Sequence, residues 1–118
     1  MNHENVIVLK SKEFAIRIVR LYRYLTEEER EYVMSKQLLR CGTSIGANVR
    51  EAIRGQTKAD FASKMNIALK EASEAEYWLE LLHETEFLTD KQFQSIYSDC
   101  GELNRILTAI VKTAYQSF

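Results

Sequence analysis

The chain reads as an all-α domain, an antiparallel up-and-down four-helix bundle that associates with copies of itself. Three observations predict this. Its 118 residues contain no proline and only four glycines, so the usual helix breakers are nearly absent. Apolar residues recur at helical spacing over long stretches. And one segment, Cys41 to Gly55, carries more apolar surface than one packing face uses. At 3.6 residues per turn, Leu38, Cys41, Gly42, Ile45, Gly46, Asn48, Val49, Ala52 and Ile53 cover about half of the helix circumference.

The elements follow from cap chemistry and periodicity. Ser11 reads as the N-cap of a first helix over 11–25, which buries Phe14, Ile18, Leu21, Tyr22 and Leu25. Residues 1–10 precede it, and Val6 to Leu9 within them suit an extended arm docking on a neighbour. Thr26-Glu27-Glu28-Glu29 reads as a capping box opening a second helix over 27–54, with Gly55 at its C-terminus. Thr57 caps a third helix over 58–87, whose buried stripe is Phe61, Met65, Ala68, Leu69, Ala72, Ala75, Leu79 and Leu82. Thr89-Asp90-Lys91-Gln92 is a second capping box and opens a fourth helix over 90–116. That helix buries Phe93, Ile96, Tyr97, Cys100, Leu103, Leu107, Ile110, Val111 and Ala114. Connections this short make successive helices antiparallel neighbours in one domain spanning 1–118.

Composition bounds the function. With 46% hydrophobic and 28% charged residues the chain is an ordinary globular domain, and a domain this small gains from burying further apolar area in an oligomer. Met1 to Asn5 lacks a positive n-region and Val6 to Leu9 is too short for a span, which predicts a cytoplasmic protein without a membrane contact. In that compartment Cys41 and Cys100, both on apolar faces, read as buried free thiols.

The net charge is only −1, yet charge is segregated. Residues 35–58 hold five cations against Glu51 alone, a net of +4, and residues 59–90 hold Lys64 and Lys70 against eight acids, a net of −6. Such a split suits pairing between helices or subunits at least as well as nucleic acid. Lys36, Arg40, Arg50 and Arg54 form a basic file about 27 Å long at roughly 1.5 Å per residue. Arg17 and Arg20, with Lys10 and Arg23, give the first helix its own basic side. A phosphate-tracking surface suited to structured RNA is one reading of these cations; a solvated or salt-bridged face is the other.

On the third helix Ile67, Glu71, Glu74 and Trp78 form a line away from the core stripe. It reads either as a solvated acidic face or as a subunit interface in which Glu71 and Glu74 meet arginines of the next chain. Gly42 and Gly46, spaced for close backbone approach, read as tight packing within a bundle and are also candidates for that interface set. Ser44, Asn48 and Glu51 border the wide apolar arc and read as a polar network, because an unpaired buried polar group costs about 1–3 kcal/mol. Glu80 and His83 have the Glu-x-x-His spacing of bundle metal sites, but a di-iron site needs a second such pair. No catalytic constellation, cofactor motif or small-molecule site is apparent.

Two long stretches and a short one between them resemble a known family. Ser44-Ile45-Gly46-Ala47-Asn48-Val49-Arg50-Glu51, then Asp60-Phe61, and Ile67-Ala68-Leu69-Lys70-Glu71-Ala72-Ser73-Glu74-Ala75-Glu76-Tyr77-Trp78-Leu79 resemble the four-helix-bundle family of 23S ribosomal RNA intervening-sequence proteins. That family is similar in fold to the accessory variability protein of diversity-generating retroelements, a homopentameric barrel that binds RNA and a reverse transcriptase. The resemblance implies a pentameric ring of bundles with an RNA or ribonucleoprotein role. It implies no established biochemical activity. The chain departs from the family pattern at Ala52, where glycine commonly follows the glutamate, and at Thr26-Glu27-Glu28, which replaces a proline-bearing turn. The expected function is therefore a non-enzymatic homo-oligomeric interaction module on structured RNA. The alternative is a protein-binding adaptor without nucleic-acid contact, and a bundle metal site comes third.

Overall fold

The computed structural model describes residues 3–116, with side chains from Asn5 onward. Four helices account for it: α1 (His3–Glu27), α2 (Met34–Ile53), α3 (Lys58–Glu84) and α4 (Asp90–Gln116). There is no strand among the described residues. Each helix packs on the next and α4 returns to α1, whereas the diagonal pairs α1/α3 and α2/α4 do not pack. The outcome is a rod of 46 × 21 × 21 Å around one apolar core.

The expected stripes supply that core. Phe14, Ile18 and Leu25 of α1 meet Leu38, Ile45 and Val49 of α2, Met65, Leu79 and Leu82 of α3, and Leu103 and Leu107 of α4. Leu21, Tyr22, Phe61, Leu69, Tyr97, Val111 and Ala114, also expected inside, are half-buried at the seams. Cys41 and Cys100 are free and buried. Burial pushes the Cys41 thiol up to about 12, with Glu74 adding to the effect, and burial raises Cys100 as well.

Two helix starts differ from expectation. Residues Val6 to Leu9 are not an extended arm but part of α1, and Ile7 is fully buried in the core. Ser11 consequently lies inside the helix rather than capping it; its hydroxyl donates to the Val8 carbonyl at 3.3 Å. Nor does Thr26 open α2. Its hydroxyl donates back to the Tyr22 carbonyl at 2.9 Å, closing α1, and the chain leaves the helix at Arg30 with φ 53°. Glu31 then opens α2. Its carboxylate accepts the N–H groups of Val33, Met34 and Ser35 at 3.1, 3.0 and 2.7 Å, satisfying donors that a helix start otherwise leaves orphaned.

The other two starts form as the sequence predicts. Thr57 Oγ1 accepts from the Asp60 N–H at 3.0 Å. Thr89 and Gln92 exchange both bonds of a capping box, at 2.8 and 3.2 Å. The third helix stops at Glu84, short of 87, because Glu86 adopts φ 71°. The Phe87 N–H then bonds the Leu82 carbonyl at 2.9 Å and the Glu86 N–H the His83 carbonyl at 3.1 Å, the bond pair of a Schellman ending.

Candidate nucleic-acid and subunit interface

The two stretches that carry the family resemblance face each other across the α2–α3 seam. At one end Arg40 donates to Glu71 at 3.3 Å and to Glu74, and the Trp78 indole N–H shares Glu74 at 2.9 Å. At the other end Lys64 pairs with Glu51 at 3.3 Å. Between them Ser44 donates to the Arg40 carbonyl at 2.7 Å and Asn48 to the Ser44 carbonyl at 2.9 Å. Ser44 and Asn48 are half-buried and served by their own helix, while Glu51 is exposed.

Glu71 and Glu74, considered as partners for another subunit's arginine, have one in their own chain. The reason is packing: α2 lies beside α3 with Arg40 opposite their turn. Gly42 and Gly46, candidates for tight packing and for the subunit interface, are engaged within the chain. Both face α1 of the same chain. A Cβ on Gly42 would stand 2.8 and 2.9 Å from two Ile18 carbons, and one on Gly46 3.4 Å from Ser11 Oγ. Of the expected interface line, Ile67 is 37% exposed and Trp78 is half-buried against the core. Tyr77, 54% exposed, meets Trp78 edge-on with ring centroids 5.1 Å apart.

The basic residues divide in the same way. Arg17 is tied across the α1–α4 seam to Asp99 and to Ser95, whose hydroxyl accepts at 2.9 Å. Lys10 nearby pairs with Glu102 at 3.1 Å. Lys36, Arg20, Arg50 and Arg54 are exposed and have no ion-pair partner among the described residues. Arg20 lies with Lys12 and Arg23 around a shallow groove floored by Ala15, Ile16 and Val19. Arg50 and Arg54 border an open cleft of about 390 Å³ at the α2–α3 turn, with Lys64 on the facing wall.

Glu80 and His83 do not converge. Glu80 accepts the Tyr97 hydroxyl at 2.7 Å, and that bond together with burial pushes the Tyr97 phenol up to about 12. The His83 ring stacks on Phe93 at 4.2 Å and its Nε2 lies 2.6 Å from Asp90. No cluster of three or more histidines, cysteines or acids suited to a metal occurs among the described residues.

The sequence pattern of the 23S rRNA-intervening sequence proteins matches residues 3–109. The chain belongs to that family. It is also similar to a solved protein of unknown function from the S23 ribosomal protein family of Bacteroides thetaiotaomicron VPI-5482. The two are 58% identical, the match covers 94% of this chain and 99% of the other, and the TM-score is 0.92. No curated protein matches. No described helix of this family member is long and apolar enough to cross a membrane.

Two polar positions in this intervening-sequence protein escape sequence reading. Glu31 sits in a loop, and its only local signal is Ser35 four residues on, whose hydroxyl donates to the Glu31 carbonyl at 2.7 Å. Burial alone would raise its pKa, but bonds from Ser35, Met34 and Val33 outweigh burial and lower it. Asn104 on α4 bonds Glu76 of α3. Burial and then the neighbouring Glu80 nevertheless raise the Glu76 pKa, against that hydrogen bond. Nothing local could reveal this pair, since 28 residues separate its members.

Proposed function

We propose that this chain is a non-enzymatic interaction module, an antiparallel up-and-down bundle that closes into a homo-oligomeric ring and binds structured RNA or a ribonucleoprotein in the cytoplasm. One observation carries the RNA reading: Lys36, Arg50, Arg54 and Arg20, on neighbouring helices α1 and α2, are exposed cations without ion-pair partners among the described residues. Unpaired cations are free to displace counterions from a phosphate backbone. The antiparallel topology is supported by cross-links whose numbers run in opposite senses, Lys10 to Glu102 and Arg17 to Asp99, Arg40 to Glu71 and Glu51 to Lys64. Self-association into a pentamer is supported by the exposed Ile67 and Tyr77 beside Trp78 and by the fold analogy of the family.

A second reading, an adaptor that binds protein alone, is favoured by Arg40, since a guanidinium held between two carboxylates offers little to phosphate. Light scattering at micromolar concentration is expected to give an oligomer, and a monomer there rejects the ring. Titrating binding to ribosomal RNA fragments against salt separates the partners. A linear fall of log affinity with log salt supports RNA; no binding at physiological salt leaves the adaptor.

A further inference from the structure

Resting on the RNA reading above, we propose that the cleft at the α2–α3 turn is a seat for a phosphate monoester, presented by the end of an RNA strand rather than by a stretch of its backbone. Arg50 in the last turn of α2 and Arg54, the residue that caps its C-terminus, stand four positions apart and border about 390 Å³ of open space with Lys64, Glu51, Asp60 and Gln56. Lys64 reaches the cleft from α3 and is held by Glu51 at 3.3 Å. The arginines have no ion-pair partner among the described residues. At the turn that brings the walls together Gly55 approaches α3 closely, since a Cβ there would stand 3.1 Å from both the Ala52 carbonyl oxygen and Asp60 Cβ.

Two features favour a point anion over a tracked strand. Toward the α2 N-terminus the basic file is interrupted, because Arg40 is held by Glu71 and Glu74, and those carboxylates repel a passing phosphodiester. At the cleft, by contrast, cations converge from two helices on a concavity, with three cations against two acids on its walls. A phosphate monoester carries about −1.5 to −2 charges at pH 7, roughly twice the charge of a backbone phosphodiester. It also offers several oxygens to two planar guanidinium forks, the geometry in which arginine binds phosphate most strongly. The Gln56 amide and the Ser63 hydroxyl, both at the cleft, remain for a further oxygen.

The test uses the full chain and one short single-stranded RNA made with a 5′-phosphate, a 3′-phosphate or hydroxyls at both ends, read by fluorescence anisotropy. A phosphorylated end should tighten binding about tenfold or more, the size of one charge-assisted hydrogen bond. Arg54→Ala should abolish that difference and leave helicity and oligomer size unchanged, while Lys36→Ala should preserve it. Equal binding of all three RNAs overturns the seat and leaves the RNA reading standing. No binding of any of them overturns both. Inorganic phosphate that perturbs the Arg50 and Arg54 side-chain resonances while RNA ends are not distinguished also overturns the proposal, and assigns the cleft to a free phosphate compound.

Discussion

The two halves of α2 read alike as sequence and behave differently as surface. In the N-terminal half Arg40 is held by Glu71 and Glu74 of α3, and the backbone is pressed onto α1 at Gly42. At the C-terminal end Arg50 and Arg54 border an open cleft without an ion-pair partner among the described residues. The difference shows that a line of cations on a helix is not yet a binding surface. Its value depends on which acids the neighbouring helix places opposite each one. Here α3 ties Arg40 with two acids, whereas its Asp60 lines the cleft beside Arg50 and Arg54 without forming an ion pair with either among the described residues.

The sharpest way to break this comparison is to remove arginines from each half. Changing Arg50 and Arg54 to alanine together should flatten the salt dependence of RNA binding by about one to two slope units, nearly one for each negative charge of the seated phosphate no longer neutralised. Arg40→Ala should leave that slope unchanged and cost about 1 kcal/mol of stability or less, because the pair is half-exposed. Equal slopes for both variants would erase the distinction between the halves.

A second contrast lies along the face that α2 turns to α1. Gly42→Ala should destabilise the protein by about 1–3 kcal/mol, since the new methyl meets Ile18 at less than 3 Å in a packed core. Gly46→Ala, where the nearest atom is 3.4 Å away, should be close to neutral. Urea unfolding of the two variants measures both, and similar losses would show that the α1–α2 approach is not closest at Gly42.

A narrower expected effect concerns how α2 begins. Glu31→Gln should cost about 1–2 kcal/mol, the difference between charge-assisted and neutral bonds to three backbone N–H groups. The native pKa of Glu31 is lowered, so its contribution is complete above the ordinary carboxylate value of about 4.3 and is lost as pH falls through the folded-state value. The variant should therefore show a shallower loss of stability on acidification. Glu76 works in the opposite sense. Its raised pKa makes its charged form unfavourable in the fold, so Glu76→Gln should gain stability above that pKa.

Much of this architecture is legible in the residues. The apolar stripes of α1, α3 and α4, the caps at Thr57 and Thr89, the buried cysteines and the family-bearing stretches of α2 and α3 all depend on 3.6-residue periodicity or on bonds spanning three or four positions. Local reading fails at Thr26 for an equally local reason. A threonine followed by three glutamates satisfies the capping-box pattern, but its hydroxyl has a carbonyl available one turn back and closes the preceding helix instead.

What only the tertiary structure decided is which groups meet across the chain. Arg40 and its two acids are separated by 31 and 34 residues, Asn104 and Glu76 by 28, and Arg17 and Asp99 by 82. Sequence alone determined that α1 and α2 would have basic sides and α3 an acidic one. The rotation and offset of neighbouring helices, set by how Gly42 seats on Ile18 and how the core stripes interdigitate, determined which charges neutralise each other and which face solvent. Ion pairing acts over a few ångströms, so it follows packing, and packing is a property of four helices together.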